Sequence, residues 1–210
     1  MKSLNILFED SHCLVVEKFS GLHTLGPNES MQSLLISQIP AQGELPDSGI
    51  CHRLDQLTSG ALFVAKSLTD FEVFRSRFSK DDGGFKKSYL ALVETSSTEE
   101  SGEFDFYFRG RYKSSKKISV YDSGKEVERG RCRWSRRQLR DGLALLEVEL
   151  LGPGRRHQIR AGLSYLKMPI AGDLLYGAKS APFFGLHAWK LEWDQNSVIC
   201  PPPVPWPLQI

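Results

Sequence analysis

The sequence predicts an α+β fold, built as one domain over residues 1–210 with room for two lobes. Three observations carry that prediction. Strand-like segments outnumber helical ones, at about nine against three or four. Their order does not alternate strand with helix, as a doubly wound sheet requires. Finally, 210 residues with 40% hydrophobic content are enough to bury a good core.

The elements can be justified in order. Asn5–Phe8 and Cys13–Lys18 read as two strands across the turn Glu9-Asp10-Ser11-His12. Between Pro27 and Pro40 lies a short amphipathic helix, capped near Asn28 or Ser30, with Met31, Leu34, Leu35 and Ile39 on one face. Gln42–Gly49 reads as a loop. Ala61–Lys66 is a short apolar run after the turn residue Gly60 and reads as a buried strand. Ser67 and Asp70 form a capping pair, and Phe71, Phe74 and Phe78 recur at helical spacing. Lys86–Glu94 alternates like a strand. Ser96–Ser101 is a polar connection.

Lys116–Tyr121 and Gly124–Glu128 read as two strands across a turn, and Arg131–Trp134 as a third. Leu143–Leu151 is a further strand, broken by Gly152-Pro153-Gly154. Arg155–Leu163 is expected to open a helix, with Arg156 and Arg160 on one face and Ile159, Leu163 and Leu166 on the other. Residues 201–210 form a proline-rich tail expected to lie extended across the surface.

Composition narrows the function. No run approaches the ~18 apolar residues of a membrane span, so no membrane association is expected. The N-terminus reaches acidic positions too early for a signal peptide. Cys13, Cys51, Cys132 and Cys200 lie far apart, without zinc-ligand spacing. They read as reduced structural thiols of a cytoplasmic protein, with no metal site. A monomer is the default expectation. The net charge is only +2, but it is unevenly spread. From Arg109 to Arg140 there are 12 basic and 3 acidic residues, so that segment nets +9 and the remainder −7. Such asymmetry suggests a polyanionic partner or a solvated, highly charged face.

The stretch that organises the chain is His52-Arg53-Leu54-Asp55-Gln56-Leu57-Thr58-Ser59-Gly60, which runs into Ala61-Leu62-Phe63-Val64-Ala65-Lys66. A carboxylate here sits between a polar turn and a buried strand. Taken alone, Asp55 reads either as a turn former or as a catalytic acid presented on rigid structure. HRLDQLTSG followed by LFVAK resembles the signature of the RluA family of RNA pseudouridine synthases. Four further segments agree, in family order. ILFEDSHCLVVEKFSGLHT resembles the family's "ED..LLVVNKPAGL", with Phe19 and Ser20 in place of Pro and Ala. Lys87-Ser88-Tyr89-Leu90-Ala91-Leu92-Val93 is similar to K-x-Y-x-A-x-V. Residues 152–177 resemble T-G-R-x-H-Q-I-R-x-H-L continued by PI-x-GD-x-x-YG, with Pro153 replacing the Thr and Gly162 the second His. Leu186-His187-Ala188 through Leu191 resembles L-H-A-x-x-L.

The resemblance implies the pseudouridine synthase fold: a curved, mixed, mostly antiparallel sheet flanked by helices, with a central RNA-binding cleft. It implies Asp55 as the catalytic residue, Tyr89 against the target base, and Arg160 in a salt bridge to the catalytic Asp. Arg53 is expected to fill the space that a flipped base vacates, and Leu186 to floor the pocket. His52 and His157 read as structural or RNA-contacting rather than as proton shuttles. Phosphate contacts are expected from Lys116, Lys117 and the rest of the 109–140 segment, and from Arg155 and Arg156. The accessory RNA-binding domain carried by many relatives is expected to be absent.

The chemistry agrees with the absence of cofactor motifs. Isomerising uridine cuts the N1–C1′ bond, turns the base and joins C5 to C1′. No redox step or phosphoryl transfer occurs, so no cofactor is expected. A carboxylate could attack C1′, attack C6 of the base, or remove the C2′ proton. The expected partner is tRNA or rRNA. A catalytically inactive RNA-binding protein on the same scaffold is the alternative, and a hydrolase pairing Asp55 with Asp173 is a second.

Overall fold

The computed structural model describes residues 3–112, 114–203 and 206–208. Ten strands and three α-helices are described. In chain order they are β1 (Ile6–Glu9), β2 (Cys13–Lys18), α1 (Met31–Gln38), β3 (Ser59–Ala65), α2 (Leu68–Phe78), β4 (Phe85–Glu94), β5 (Ser101–Arg109), β6 (Ser119–Tyr121), β7 (Arg129–Arg140), β8 (Leu143–Leu150), α3 (Gln158–Tyr165), β9 (Leu186–Trp193) and β10 (Asn196–Ile199). The chain divides into two compact units. The first is Met1–Lys87 with His187–Pro201, and the second is Ser88–Leu186 with Pro202–Ile210.

In the first unit the strand order is β1-β2-β3-β9, with β10 on β9. β1 and β2 are antiparallel, as are β2 and β3, whereas β3 runs parallel to β9 with Ser59 opposite His187 and Gly60 opposite Ala188. All seven residues of β3 are buried. Phe63 is the hub of the core, meeting Phe74, Phe78, Phe85 and Trp193 edge-on at 4.8–5.6 Å between centroids. Such edge-to-face geometry suits the ring quadrupoles. Ser67 caps α2 by accepting the Asp70 N–H, and Phe71, Phe74 and Phe78 form the helix's buried face, as the spacing predicts. Ser30, rather than Asn28, caps α1, which buries Met31 and Leu35.

In the second unit the order is β4-β8-β7-β5-β6. β5, β7 and β8 are long and antiparallel. The aromatic residues Phe104, Phe106 and Phe108 share one face of β5, and Phe104 and Phe108 are buried. Glu103 and Asp105 point to the other face and pair with Arg133 and Arg129 of β7.

Several sequence expectations change. β5 was expected as a polar connection followed by unassigned chain; its alternating phenylalanines make it a strand. Gly124–Glu128 is no strand, since Glu126–Glu128 form a 3-10 turn. Only Ser119–Tyr121 of the expected 116–121 strand is extended. The 42–49 loop is two 3-10 turns, with Asp47, Ser48 and Gly49 all at positive φ. α3 begins at Gln158 rather than Arg155, because its N-cap, His157, is left-handed at φ 55° and cannot continue a helix backwards. The C-terminal tail does not simply lie across the surface: Trp206 and Leu208 are buried and Arg140 donates to the Pro207 carbonyl. Val204, Pro205, Gln209 and Ile210 of that tail lie outside the described residues.

Candidate active site

In the first unit, residues 52–58 form an irregular loop delivered by Cys51 and received by β3. An irregular loop needs its backbone groups satisfied from elsewhere. Here the 18–24 segment supplies them. Lys18 is fully buried, and its ammonium donates to the carbonyls of Phe19 (3.1 Å), Gln56 (2.9 Å) and Thr58 (2.7 Å). Thr24 is buried and reciprocal with Leu54: its hydroxyl donates to the Leu54 carbonyl at 2.7 Å and accepts the Leu54 N–H at 3.1 Å. Ser20 Oγ donates to the Leu57 carbonyl at 2.7 Å. Gly21 N–H donates to the Gln56 carbonyl, and Gln56 Nε2 donates to the Gly21 carbonyl. Thr58 N–H closes the turn onto the Asp55 carbonyl at 3.1 Å.

The result is a loop whose backbone is pinned on both sides of Asp55. Asp55 itself is half-buried, and Arg53 and Gln56 are exposed. Ser20, which departs from the family's Ala, therefore takes part directly in holding the motif loop.

The loop's downstream end is fixed by a buried relay. Ser59 Oγ lies 2.8 Å from His187 Nδ1, and His187 Nε2 lies 2.9 Å from the Cys200 carbonyl. A carbonyl only accepts, so Nε2 carries the proton and Ser59 donates to Nδ1. His187 is thus a neutral imidazole, and burial holds its pKa below the usual value. Gly60, at φ 116°, brings the backbone against β9: a Cβ there would lie 2.3 Å from the Ala188 carbonyl oxygen.

The upstream end is fixed by His52. Its Nε2 accepts the Phe63 N–H at 3.1 Å, and its ring stacks on Phe78 at 4.7 Å between centroids. Desolvation, with the Lys87 ammonium nearby, pushes its pKa down to about 3. His52 is consequently a neutral structural acceptor. The four cysteines are free and buried; burial pushes the Cys51 and Cys200 thiols up to about 12, consistent with inert packing.

In the second unit, Tyr89 is buried in β4, and Leu186 is buried at the start of β9. Arg160 is buried on α3 and forms a two-pronged pair with Asp173: Nε to Oδ2 at 2.7 Å and Nη2 to Oδ1 at 3.1 Å. Its guanidinium also sits 5.2 Å from the Tyr176 ring centroid and 5.3 Å from that of Phe184. Bidentate pairing plus aromatic contact leaves that guanidinium little rotational freedom. Asp173 is only 1% exposed.

Arg155, Arg156 and His157 stand in the turn before α3 rather than on it. Arg155 Nε donates to the Arg129 carbonyl, and Arg156 Nη2 donates to the carbonyls of Ser115 and Lys116. His157 Nδ1 lies 2.9 Å from Tyr176 Oη. Lys116 and Lys117 are exposed. Gly162 stands where the family has a second His, and a Cβ there would lie 2.5–3.0 Å from the Phe104 ring. In this chain a β5 phenylalanine occupies the room that a side chain at 162 requires.

The +9 segment is less free than its count suggests. Arg109 pairs with Glu128, Arg129 with Asp105, Arg133 with Glu103, Arg136 with Glu100 and Arg137 with Glu147. No group of three or more His, Cys, Asp or Glu side chains among the described residues could hold a metal ion. No helix among them is long and apolar enough to cross a membrane.

Sequence reasoning missed Lys18, Ser20, Thr24 and the Asp173–Tyr176 support of Arg160. The first three act on backbone carbonyls, which no side-chain pattern announces. The GD-x-x-YG continuation after α3 was the available signal for the last two.

The chain belongs to the RNA pseudouridylate synthase family, whose model matches residues 12–165. Within that family it falls with the RluA type. It is 32% identical over 178 residues to the ribosomal large subunit pseudouridine synthase D of Xanthomonas campestris pv. campestris, covering 83% of this chain and 52% of that protein. It is 32% identical to the dual-specificity RNA pseudouridine synthase RluA of Vibrio parahaemolyticus, covering 90% of this chain and 77% of that one. The chain spans about half the length of the synthase D relatives it matches. The human RNA pseudouridylate synthase domain containing 4 has the same fold, with a TM-score of 0.72 at 21% identity over 95% of this chain and 89% of that one. The human domain containing 1 aligns with a TM-score of 0.70 at 24% identity, over 96% and 84%.

Proposed function

We propose that this chain isomerises uridine to pseudouridine in tRNA or rRNA, with Asp55 as the catalytic carboxylate. The observation that carries the reading is the clamp on the 52–58 loop. The side chains of Lys18, Ser20 and Thr24, with the Gly21 N–H, hold that loop's carbonyls and the Leu54 N–H while leaving Asp55 half-buried. Fixing a reacting group in advance lowers the entropic part of a barrier. Tyr89 against the base, Arg160 as the guanidinium that keeps the Asp ionised, and Arg53 as the filler of the vacated stack enter through the family resemblance. Base flipping follows from the chemistry, since C1′ and C5 cannot meet while the base is stacked.

The C5 proton must leave when C5 bonds to C1′. RNA carrying tritium at C5 of uridine therefore reports turnover directly. Purified chain is expected to release tritium from tRNA or rRNA made without this modification. The Asp55→Asn variant is expected to bind the same RNA and release none. Release by Asp55→Asn at the wild-type rate overturns the assignment, and RNA binding without release by the wild type returns the inactive-scaffold alternative.

A further inference from the structure

Arg109, Arg129, Arg133, Arg136 and Arg137 are tied to carboxylates, as described above. Among the described residues, Arg111, Lys116 and Lys117 make no ion pair. All three are exposed and lie in the connection from β5 to β6, of which residues 110–112 and 114–118 are described. The same connection carries Tyr112, which is 67% exposed.

Tyr112, Ser115, Lys116 and Ile118 are tied by hydrogen bonds. Tyr112 N–H donates to Ser115 Oγ at 2.8 Å, and Ser115 N–H donates back to the Tyr112 carbonyl at 3.0 Å. Arg156 Nη2 donates to the carbonyls of Ser115 and Lys116, both at 2.8 Å. Ile118 is buried, and its N–H donates to Tyr176 Oη at 2.9 Å. Arg156 and Tyr176 thus hold Ser115, Lys116 and Ile118 against the base of α3, and Arg111 lies 5.6 Å from the Tyr112 ring centroid.

Lys117 Nζ lies 5.3 Å from the Tyr176 ring centroid. Tyr112, in the same basic connection, is an aromatic ring held in water. Its flat face and the cations of the connection match a ligand that is anionic along its backbone and carries flat, open rings. Unpaired RNA has both features; a duplex offers the phosphates but closes its base faces. We infer that Arg111, Tyr112, Lys116 and Lys117 form a docking surface for an unpaired stretch of RNA, with Tyr112 stacking on a base and the three cations contacting phosphates. This rests on the proposed function, which supplies RNA as the substrate, and it adds the part of the RNA that is gripped.

The test is binding of the whole chain, at fixed salt, to a single-stranded oligoribonucleotide and to a duplex of the same length. Tyr112→Ala is expected to weaken single-strand binding about tenfold or more, the range of one lost base stack, and to leave duplex binding within about twofold. Tyr112→Phe keeps the stacking face and is expected to bind like the wild type. Lys116→Gln with Lys117→Gln is expected to lower the slope of log affinity against log salt by about 1.4, for two single-strand phosphate contacts. Equal single-strand binding by Tyr112→Ala and wild type overturns the inference and leaves the proposed function standing. Failure of the wild type to bind either RNA overturns both.

Discussion

Replacing Lys18 with Met is the sharpest test of how the Asp55 loop is held. The two side chains are similar in length and volume, so little space opens. What disappears is an ammonium donating to three carbonyls, those of Phe19, Gln56 and Thr58, at 2.7–3.1 Å with no solvent exposure. Each charge-assisted bond contributes roughly 1.5–3 kcal/mol, and an orphaned buried carbonyl costs roughly 1–3 kcal/mol. Against this, the variant no longer desolvates a charge, a saving of several kcal/mol. The Gln56 carbonyl keeps the Gly21 N–H, so the net loss expected is about 2–3 kcal/mol, mainly from the orphaned Thr58 carbonyl. With a urea m-value of about 2 kcal/mol/M, the unfolding midpoint drops by roughly 1 M. Amide exchange is expected to rise first at Gly21 and Thr58, whose N–H groups bond the carbonyls of Gln56 and Asp55. A midpoint within 0.3 M of wild type (about 0.6 kcal/mol at that slope) would falsify the idea that this ammonium holds the loop.

Other outcomes follow from the same geometry. Gly162→His, which restores the family's residue, is expected to cost about 1–3 kcal/mol by overpacking against Phe104. Phe104→Ala in the same chain should recover part of that loss, and a double-mutant cycle with no coupling contradicts the contact. His52 stays neutral in the folded chain down to about pH 3, whereas an unfolded His protonates near 6.5. The unfolded state therefore binds more protons, and stability falls with pH below about 6.5 by up to about 1.4 kcal/mol per unit from this group. Urea titrations between pH 6.5 and 5 check this: His52→Gln should flatten the slope by about that amount, and an unchanged slope refutes the assignment. Arg160→Lys is expected to lose the two-pronged contact with Asp173 and destabilise by a few kcal/mol, despite keeping the charge; thermal unfolding of the variant measures it.

Much of the fold was legible because its signals are local. The Ser67–Asp70 cap, the Phe71-Phe74-Phe78 face of α2 and the buried run of β3 need only neighbours to be recognised. β5 was also local in principle, since Phe104, Phe106 and Phe108 alternate with Glu103, Asp105 and Tyr107; the polar stretch before it and the charge after it hid the period. The start of α3 was not legible. A His in the left-handed region carries no sequence mark of the kind glycine gives. Charge counting could not show the pairing, for a different reason. Arg129 and Arg133 find Asp105 and Glu103, which lie 24 and 30 residues away and meet them only through strand register. At the site, Asp55 could be read from its motif. Lys18, Ser20 and Thr24 could not, because what they hold is backbone.

Asp55 is proposed to convert uridine to pseudouridine in a cellular RNA. Carbodiimide mapping with primer extension, on total RNA from cells with and without this gene, tests it most directly. One or a few uridines are expected to lose modification without the gene, to regain it with the wild-type chain, and to stay unmodified with Asp55→Asn. Restoration of those sites by Asp55→Asn contradicts the account.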